Sequence, residues 1–538
     1  MIEDIVSSLT PGQAVLYFLG AFFVACLARK IQVQWQLSRL GFRAPKVQFH
    51  LPYAMDFIYK SMQANLADRD LEFWSSAMQG AKGAPLLENK KTAELDAGIS
   101  TRLVLTRDPE NIKAVLTGQF ADYGKGESFH RDWREFLGDS IFTTDGELWS
   151  TSRHLIRPMF VRVRLVDTEI FEKHVQHLIP LLAGEKGNKV VDITSLFFRY
   201  TLDAATDYLL GQGTDSLQNP EIEFAEAFRY VQRRQVQYFR LGVFKFILSR
   251  KEFRRQLKVM DDFMRPYIDR VLAMSPAELD QKLSKQETFL HALARFTRDR
   301  RVLRDQLVAV LLAGRDTTAA TLSFCLFELG RNPEAVAKLR EEIATRLGVG
   351  ASAQKPTYTD LKDMKYLNAV LHESMRLYPV VPFNVRFSLK DTTLPRGGGP
   401  DGLSPVAVKA GSRIVYSTMI MQRSPDNYDS PSSPNYFDPA KWQPERWISG
   451  WQPKPWHFIP FNGGPRICIG QQFAMIEMGY TVVRILQAFE QIQAMPESGQ
   501  SMVEDPKLRF EVTLTPASKL DCVFVRDGEG NEKDGTTS

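Results

Sequence analysis

"FNGGPRICIG", residues 461–470, sets Cys468 among Gly463, Gly464 and Gly470, with Pro465 and Arg466 beside them. Glycine reaches φ > 0 and lets another group come close, so the stretch reads as a tight loop whose N–H groups converge on one centre. Such a centre suits an anion. A thiolate at Cys468 is that anion, because Arg466 and the N-terminus of a helix beginning within 469–473 would both lower its pKa. A lone cysteine in a turn reads first as a buried structural one; the spacing of all ten residues argues for a ligand.

The surrounding chain of 538 residues is 44% hydrophobic, 24% charged and 11% aromatic, an ordinary globular composition with room for a sizeable core. Its 68 basic and 63 acidic residues leave a net charge of +5, and no Lys/Arg run is interleaved with aromatics, which excludes nucleic acid as a partner. Cys26, Cys325, Cys468 and Cys522 stand far apart, without a CxxC pair or a neighbouring His cluster. Neither a zinc site nor a disulfide framework is expected, and a single thiolate ligand stays open.

Residues 5–28 carry no charge, and "AVLYFLGAFFVACLA" (14–28) is almost wholly apolar. At about 1.5 Å per residue the segment is long enough to cross a hydrocarbon core of about 30 Å. Glu3 and Asp4 precede it where a secretory signal would carry lysines, and no A-x-A pattern ends it, which favours a retained anchor over a cleaved signal peptide. Arg29, Lys30, Arg39, Arg43 and Lys46 follow. That positive excess implies a single-pass protein of the endoplasmic reticulum membrane with its C-terminal side in the cytoplasm. We expect an anchor over 1–30, one domain over 31–525 and a disordered polar tail over 526–538.

Helical patterning dominates 108–376, and short β-like runs fall near 102–106, 384–394, 413–417 and 508–525, which predicts a mainly α fold with small sheets. The longest helix spans about 301–330 and stops at Pro333. In its middle "AGRDTT" (313–318) puts Gly314, about 1 kcal/mol worse than Ala, ahead of the weak helix formers Asp316, Thr317 and Thr318. Such a conflict marks functional sites, because the small residue leaves room for a ligand and the Thr hydroxyl can turn to the backbone or to that ligand. An inert polar patch on a kinked helix is the alternative. A second helix, "YLNAVLHESMRLYP" (366–379), sets Glu373 beside Arg376 at i, i+3. Alone this pair reads as a surface ion pair. Arg446, next to Glu445 in "FDPAKWQPERW" (437–447), would complete a buried network with it, in which losing one partner is costly.

Phe461-x-x-Gly464-x-Arg466-x-Cys468-x-Gly470, Glu373-x-x-Arg376 and Ala313-Gly314-x-Asp316-Thr317-Thr318, with Trp149-x-x-x-Arg153 ahead of them, resemble the cytochrome P-450 superfamily of haem-thiolate monooxygenases. The resemblance covers nearly the whole chain after the anchor. It implies the cytochrome P-450 fold, haem as cofactor, Cys468 as the thiolate ligand of its iron, and O2 as co-substrate. Loop N–H groups would tune the sulfur while Phe461 shields it from water. Trp149, Arg153, Arg386 and Arg466 would hold the haem propionates, since a guanidinium matches a carboxylate and an indole N–H can donate to one. Glu373, Arg376 and Arg446 would be structural, and Asp316 and Thr317 would supply protons to bound oxygen.

Within the superfamily, "FNGGPRICIGQQFA" (461–474), "AGRDTTAA" (313–320) and "DTTLPRGGGPDG" (391–402) are similar to the fungal alkane and fatty-acid hydroxylases. This implies hydroxylation of a long-chain alkane or fatty acid at or near its terminal carbon. Ala313 stands where many animal fatty-acid ω-hydroxylases carry a haem-esterifying Glu, so no covalent link is expected. The resemblance walls a narrow apolar channel with the region 123–142, with "VVPFNV" (380–385) including Val381 and Phe383, and with residues near Leu514. "YFRLGVFKFILSRK" (238–251) is either a lip dipping into the lipid interface or an amphipathic core helix. No G-x-G-x-x-G follows a strand and no flavin domain is expected, so a separate membrane-bound NADPH–cytochrome P-450 reductase would deliver electrons on the Cys468 side. A hydroxylase of a sterol or secondary metabolite, and a non-catalytic haem-binding sensor, are the alternative functions.

Overall fold

The computed structural model describes every residue except 1–9, 48–50, 52–53, 79–90, 97–101, 162–167, 185–188, 286–287, 496–505 and 527–538. All but the first residue of the expected tail therefore lies outside the described residues. Helices dominate and small sheets carry the remaining regular structure, as the hydrophobic periodicities predict. The chain divides into two compact units, one of residues up to 61, 72–124 and 385–416, the other of 62–71, 125–384 and 417–538.

The first unit is built on a sheet with strand order Thr92–Asp96, Arg102–Thr106, Arg413–Ser417, Phe383–Ser388 and Tyr123–Gly124. The first two strands pair antiparallel with Leu95 opposite Leu103, and the second runs parallel to Arg413–Ser417 with Leu105 opposite Val415. A separate hairpin, Thr392–Gly398 with Ser404–Val408, carries an irregularity between Leu394 and Gly398. The glycine run explains it. Gly397 has φ +114, and a Cβ there would lie 2.6 Å from Thr92 Cβ, so only glycine fits this close approach.

The helix Pro11–Leu40 starts behind Thr10, whose hydroxyl accepts the Gln13 N–H while the Gln13 side chain accepts the Thr10 N–H, a capping box. It continues ten residues beyond the expected anchor boundary at 30. The physical reason is that Arg29, Lys30 and Gln32 end an apolar span without ending a helix, all three being good helix formers. Large apolar side chains from Val15 to Leu27 are exposed, whereas Val33 and Leu37 are buried against Ala407 of the hairpin. A bare apolar stretch of about 20 residues, roughly 30 Å of helix, thus precedes a docked last segment.

The second unit centres on the helix Arg300–Arg331, capped by the Asp299 carboxylate, which accepts from the Arg301 and Val302 N–H groups. It is continuous through 313–318. Burial on nearly every face overrides the poor local propensity: Leu322, Phe324 and Leu326 share one core with Val483 and Leu486 of the helix Gln471–Ala488. Residues 238–251 do not form one helix. Glu223–Leu241 ends at Gly242, φ +54, a 3₁₀ turn Gly242–Ile247 follows, and Lys251–Ala273 begins anew. On this turn Phe246 and Ile247 are 77% and 63% exposed while Lys245 ion-pairs with Asp132, so the core-helix alternative does not hold.

Candidate functional site

The loop 461–470 is shaped by its backbone first. Asn462 and Gly464 take left-handed conformations, φ +60 and +67. Asn462 N–H donates to Ile459 O, Ile467 N–H to Gly464 O and Cys468 N–H to Phe461 O, each at 3.0 Å. A Cβ on Gly463 would meet the Trp456 ring at 2.6 Å, so this glycine lets an indole lie against the loop. Gly470 plays a different part. It precedes Gln471–Ala488 with φ −95, and a Cβ there would make only an ordinary contact of 3.6 Å with Phe160.

Cys468 keeps exposed surface, yet the protein around it desolvates its thiol. Burial pushes the thiol pKa up, while the Gly470 N–H and the Arg153 charge pull it down by less. The N–H at the cap of Gln471–Ala488 thus acts in the expected direction, whereas Arg153, not Arg466, supplies the charge. The Arg466 guanidinium is committed elsewhere, donating to the Asp145 carboxylate at 2.6 Å and to Thr144 O at 2.8 Å. An ionised sulfur at this position therefore calls for a cation bound to it, as a metal provides. The soft, accessible thiol and the bent loop fit a haem iron.

Trp149 and Arg153 project one turn apart from the helix Gly146–Val161. Arg153 donates to Ile467 O at 3.1 Å, and the Trp149 ring lies 4.6 Å from the Arg466 guanidinium and 5.9 Å from that of Arg153. Two cations and an indole are thus gathered beside the loop, a set suited to a dicarboxylate. Arg386 belongs to the first unit, where it is buried, donates to Val385 O at 2.9 Å and lies over the Tyr416 ring.

On the long helix, Val310, Ala313, Gly314 and Thr317 are partly exposed while Leu311, Leu312, Arg315 and Asp316 between them are buried. Positions i, i+3, i+4 and i+7 form one face, so a single stripe of this buried helix borders open space. Thr317 Oγ1, within the stripe, donates to Ala313 O at 2.6 Å. Asp316 lies off it, paired with Arg315 at 2.9 Å and hydrogen-bonded to Gln232, its pKa raised by burial. The next residue, Thr318, is hydrogen-bonded to Glu477, whose carboxyl burial pushes up to about 8.

Val381 and Phe383 keep partial exposure, and Phe383 packs 5.0 Å from the Phe510 ring. Leu514 differs: its N–H donates to Val380 O at 2.9 Å, but its side chain is 1% exposed and belongs to the main core. Phe461 packs against that same core. Glu373, Arg376 and Arg446 are all buried in one hydrogen-bonded cluster, so the surface-pair reading of Glu373 and Arg376 does not hold. Glu445 points to another partner, Lys338, at 2.7 Å.

Asp145, Trp456, Gln232 and Glu477 were not singled out from the sequence. Glu477 alone left a trace there, a charge inside the apolar run "FAMIEMGYTVV" (473–483). The others matter through partners distant in the chain.

Residues 97–520 match the family model described as Cytochrome P450. The chain is 45% identical over 505 residues to the cytochrome P450 monooxygenase pvhE of Talaromyces variabilis, covering 90% of each chain. It is 38% identical over 531 residues to cytochrome P450 52A5 of Candida maltosa, covering 94% of each. The crystal structure of the cytochrome P450DA heme domain shares its fold, with a TM-score of 0.70 at 18% identity, over 90% of this chain and 96% of that one.

Proposed function

The chain belongs to the cytochrome P450 family, a family of haem-thiolate monooxygenases, and from that premise we propose that it hydroxylates long-chain alkanes or fatty acids at or near the terminal carbon. Its cofactor is haem, held by a cysteine thiolate, and it uses O2 with electrons from a redox partner. One observation carries the substrate reading: the accessible stripe Val310, Ala313, Gly314 and Thr317 is apolar but for one hydroxyl. A terminal methyl C–H bond is harder to break than an internal one, so its selection must rest on apolar shape. The similarity of 313–320, 391–402 and 461–474 to fungal alkane and fatty-acid hydroxylases supports the same class.

Bound haem supplies O2 activation and transfer of one oxygen atom. Cys468 would hold the haem iron, at the loop bent by Gly464 and closed by the Cys468 N–H on Phe461 O. Trp149, Arg153 and Arg466 would hold its propionates. Asp316 holds a proton at its carboxyl, and Thr317 Oγ1 presents a hydroxyl to the open space. Val381 and Phe383 confine the hydrocarbon chain. Electrons come from a membrane-bound NADPH–cytochrome P-450 reductase. The helix Pro11–Leu40 crosses the endoplasmic reticulum membrane once, leaving the catalytic part in the cytoplasm with Phe246 and Ile247 meeting lipid.

The test is incubation of membranes holding the full chain and the reductase with alkanes, fatty acids and sterols, with products read by mass spectrometry. Terminal or near-terminal alcohols of the linear substrates are expected. Turnover of a sterol alone would overturn the substrate class, and a haem-loaded protein that consumes no NADPH with any substrate would overturn catalysis.

A further inference from the structure

Two adjacent residues of the helix Glu223–Leu241 each engage a carboxylate. Gln232 is hydrogen-bonded to Asp316, and Arg233 places Nε 2.9 Å from Glu511 Oε1. Solvent exposure climbs along this line. Asp316 and Gln232 are 2% and 5% exposed, whereas the Glu511 and Arg233 side chains reach 22% and 50%. Glu511 sits in the turn between Leu508–Phe510 and Leu514–Pro516, its N–H donating to Thr513 O at 3.1 Å.

The charged groups that bear on Glu511 come from three elements. They are Arg233 on the helix, Arg509 on the adjoining strand and Asp316 on the long helix, and Arg509 is itself paired with Asp68 at 3.0 Å. Asp316 has Arg315 beside it, and Arg229 lies near Arg315. Burial raises the Glu511 pKa, and the Asp316 charge adds to the rise against the two arginines. Gln232 and Arg233, consecutive on one helix, thus bring an enclosed carboxylate and a partly exposed one to the same part of the second unit, and carboxylates that feel each other's charge in a poorly solvated place exchange a proton more readily than they ionise together.

We propose that Glu511 is the residue at which protons enter from bulk water on their way to Asp316. The proposal rests on Asp316 acting as the acid that supplies the active site. Only protons move in it. A hydronium ion protonates the Glu511 carboxylate and leaves as water; the Glu511 carboxyl then gives that proton, across hydrogen-bonded water, to the Asp316 carboxylate and returns to its anion. A monooxygenase consumes two protons and two electrons for each O2 whose second oxygen leaves as water, so the route runs twice per turnover, with the electrons arriving from the redox partner. A latch holding the turn to the helix would need the ion pair with Arg233; it would not need the graded exposure or the neighbouring Gln232 on Asp316.

The experiment uses the haem-loaded full chain in membranes with the reductase and a substrate it turns over. Glu511→Gln keeps size and hydrogen bonding while removing the exchangeable proton. Product formed per NADPH is expected to fall about threefold or more, with hydrogen peroxide rising, a larger solvent deuterium isotope effect on kcat, and an unchanged substrate Kd from the haem spectral shift. Glu511→Asp should restore most of the coupling. Wild-type coupling and isotope effect in Glu511→Gln would overturn the proposal, as would a loss accounted for by weaker substrate binding. Asp316→Asn separates the two readings: if it uncouples while Glu511→Gln does not, Glu511 alone is misassigned, and if Asp316→Asn itself stays coupled, the acid reading fails.

Discussion

Arg446 donates its Nε–H to Glu373 Oε1 at 3.0 Å, and neither side chain has any exposed surface. The same carboxylate accepts both forks of Arg376, at 2.8 and 2.9 Å, the Trp447 indole N–H at 3.0 Å and the Gln443 N–H at 2.8 Å. One anion thus faces two cations, and the carbonyls of Asp438, Pro439 and Lys441 take the donors left over. The network ties the helix Lys365–Leu377 to the irregular segment that leads toward the Cys468 loop.

Glu373→Gln would leave two buried guanidinium groups without a counter-ion. Breaking a buried pair in this way costs about 3–5 kcal/mol, and the segment 437–447 loses its tie. The expected protein is strongly destabilised and poor in haem. The haem-to-protein ratio and the thermal midpoint check this, and wild-type values in both would show that the network does not hold the loop.

The three glycines of the loop should respond differently to the same methyl group. Gly463→Ala drives a Cβ to 2.6 Å from the Trp456 ring, and Gly464→Ala meets a left-handed φ of +67, a strain of about 1 kcal/mol or more for a residue with a Cβ. Gly470→Ala meets neither obstacle from the chain itself, with Phe160 at 3.6 Å. We expect Gly463→Ala and Gly464→Ala to lower the yield of carbon monoxide-binding thiolate haem, with Gly463→Ala the more damaging. Gly470→Ala should stay nearer to wild type, so equal losses in all three would point to the haem, rather than the chain, as the obstacle.

The motifs were legible because each rests on short-range chemistry: φ freedom around the cysteine, a hydroxyl and a carboxyl beside a glycine, Glu and Arg one helical turn apart. The strands 102–106 and 413–417 were legible as apolar runs that fit a buried sheet. What escaped depends on partners far along the chain. Glu373 and Arg376 look like a solvated pair until Arg446, 73 positions after Glu373, buries them. Arg466 looks like the cation beside Cys468 until Asp145, 321 positions earlier, claims it and leaves that part to Arg153. Leu514 reads as a wall of the substrate channel until the packed structure shows its N–H on Val380 O and its side chain turned into the core.

Thr317 gives a cleaner test of chemistry than of folding. Its hydroxyl donates to Ala313 O at 2.6 Å inside the accessible stripe, and Ala is the better helix former, so Thr317→Ala should change stability by no more than about 0.5 kcal/mol. The haem spectrum should be retained while product per NADPH falls about tenfold and hydrogen peroxide rises. Thr317→Ser, which keeps the hydroxyl, should recover most of the coupling. Unchanged coupling in Thr317→Ala would remove this residue from proton supply.

Glu477 predicts how stability varies with pH. Its carboxyl is buried beside Thr318 and pushed up to about 8, against an ordinary value of 4.5. Below 4.5 both folded and unfolded chains hold the proton, and above 8 both have lost it. Between those limits the folded protein keeps a proton that the unfolded chain releases, so this group makes stability fall as pH rises, by at most about 1.4 kcal/mol per pH unit. Glu477→Gln keeps a hydrogen-bonding group next to Thr318 and cannot ionise. Denaturant unfolding of both proteins from about pH 5.5 to about pH 7.5 should therefore show the variant gaining on the wild type as pH rises. Parallel curves over that range would mean that Glu477 is already ionised in the folded protein, and the neutral acid under the long helix would have to be abandoned.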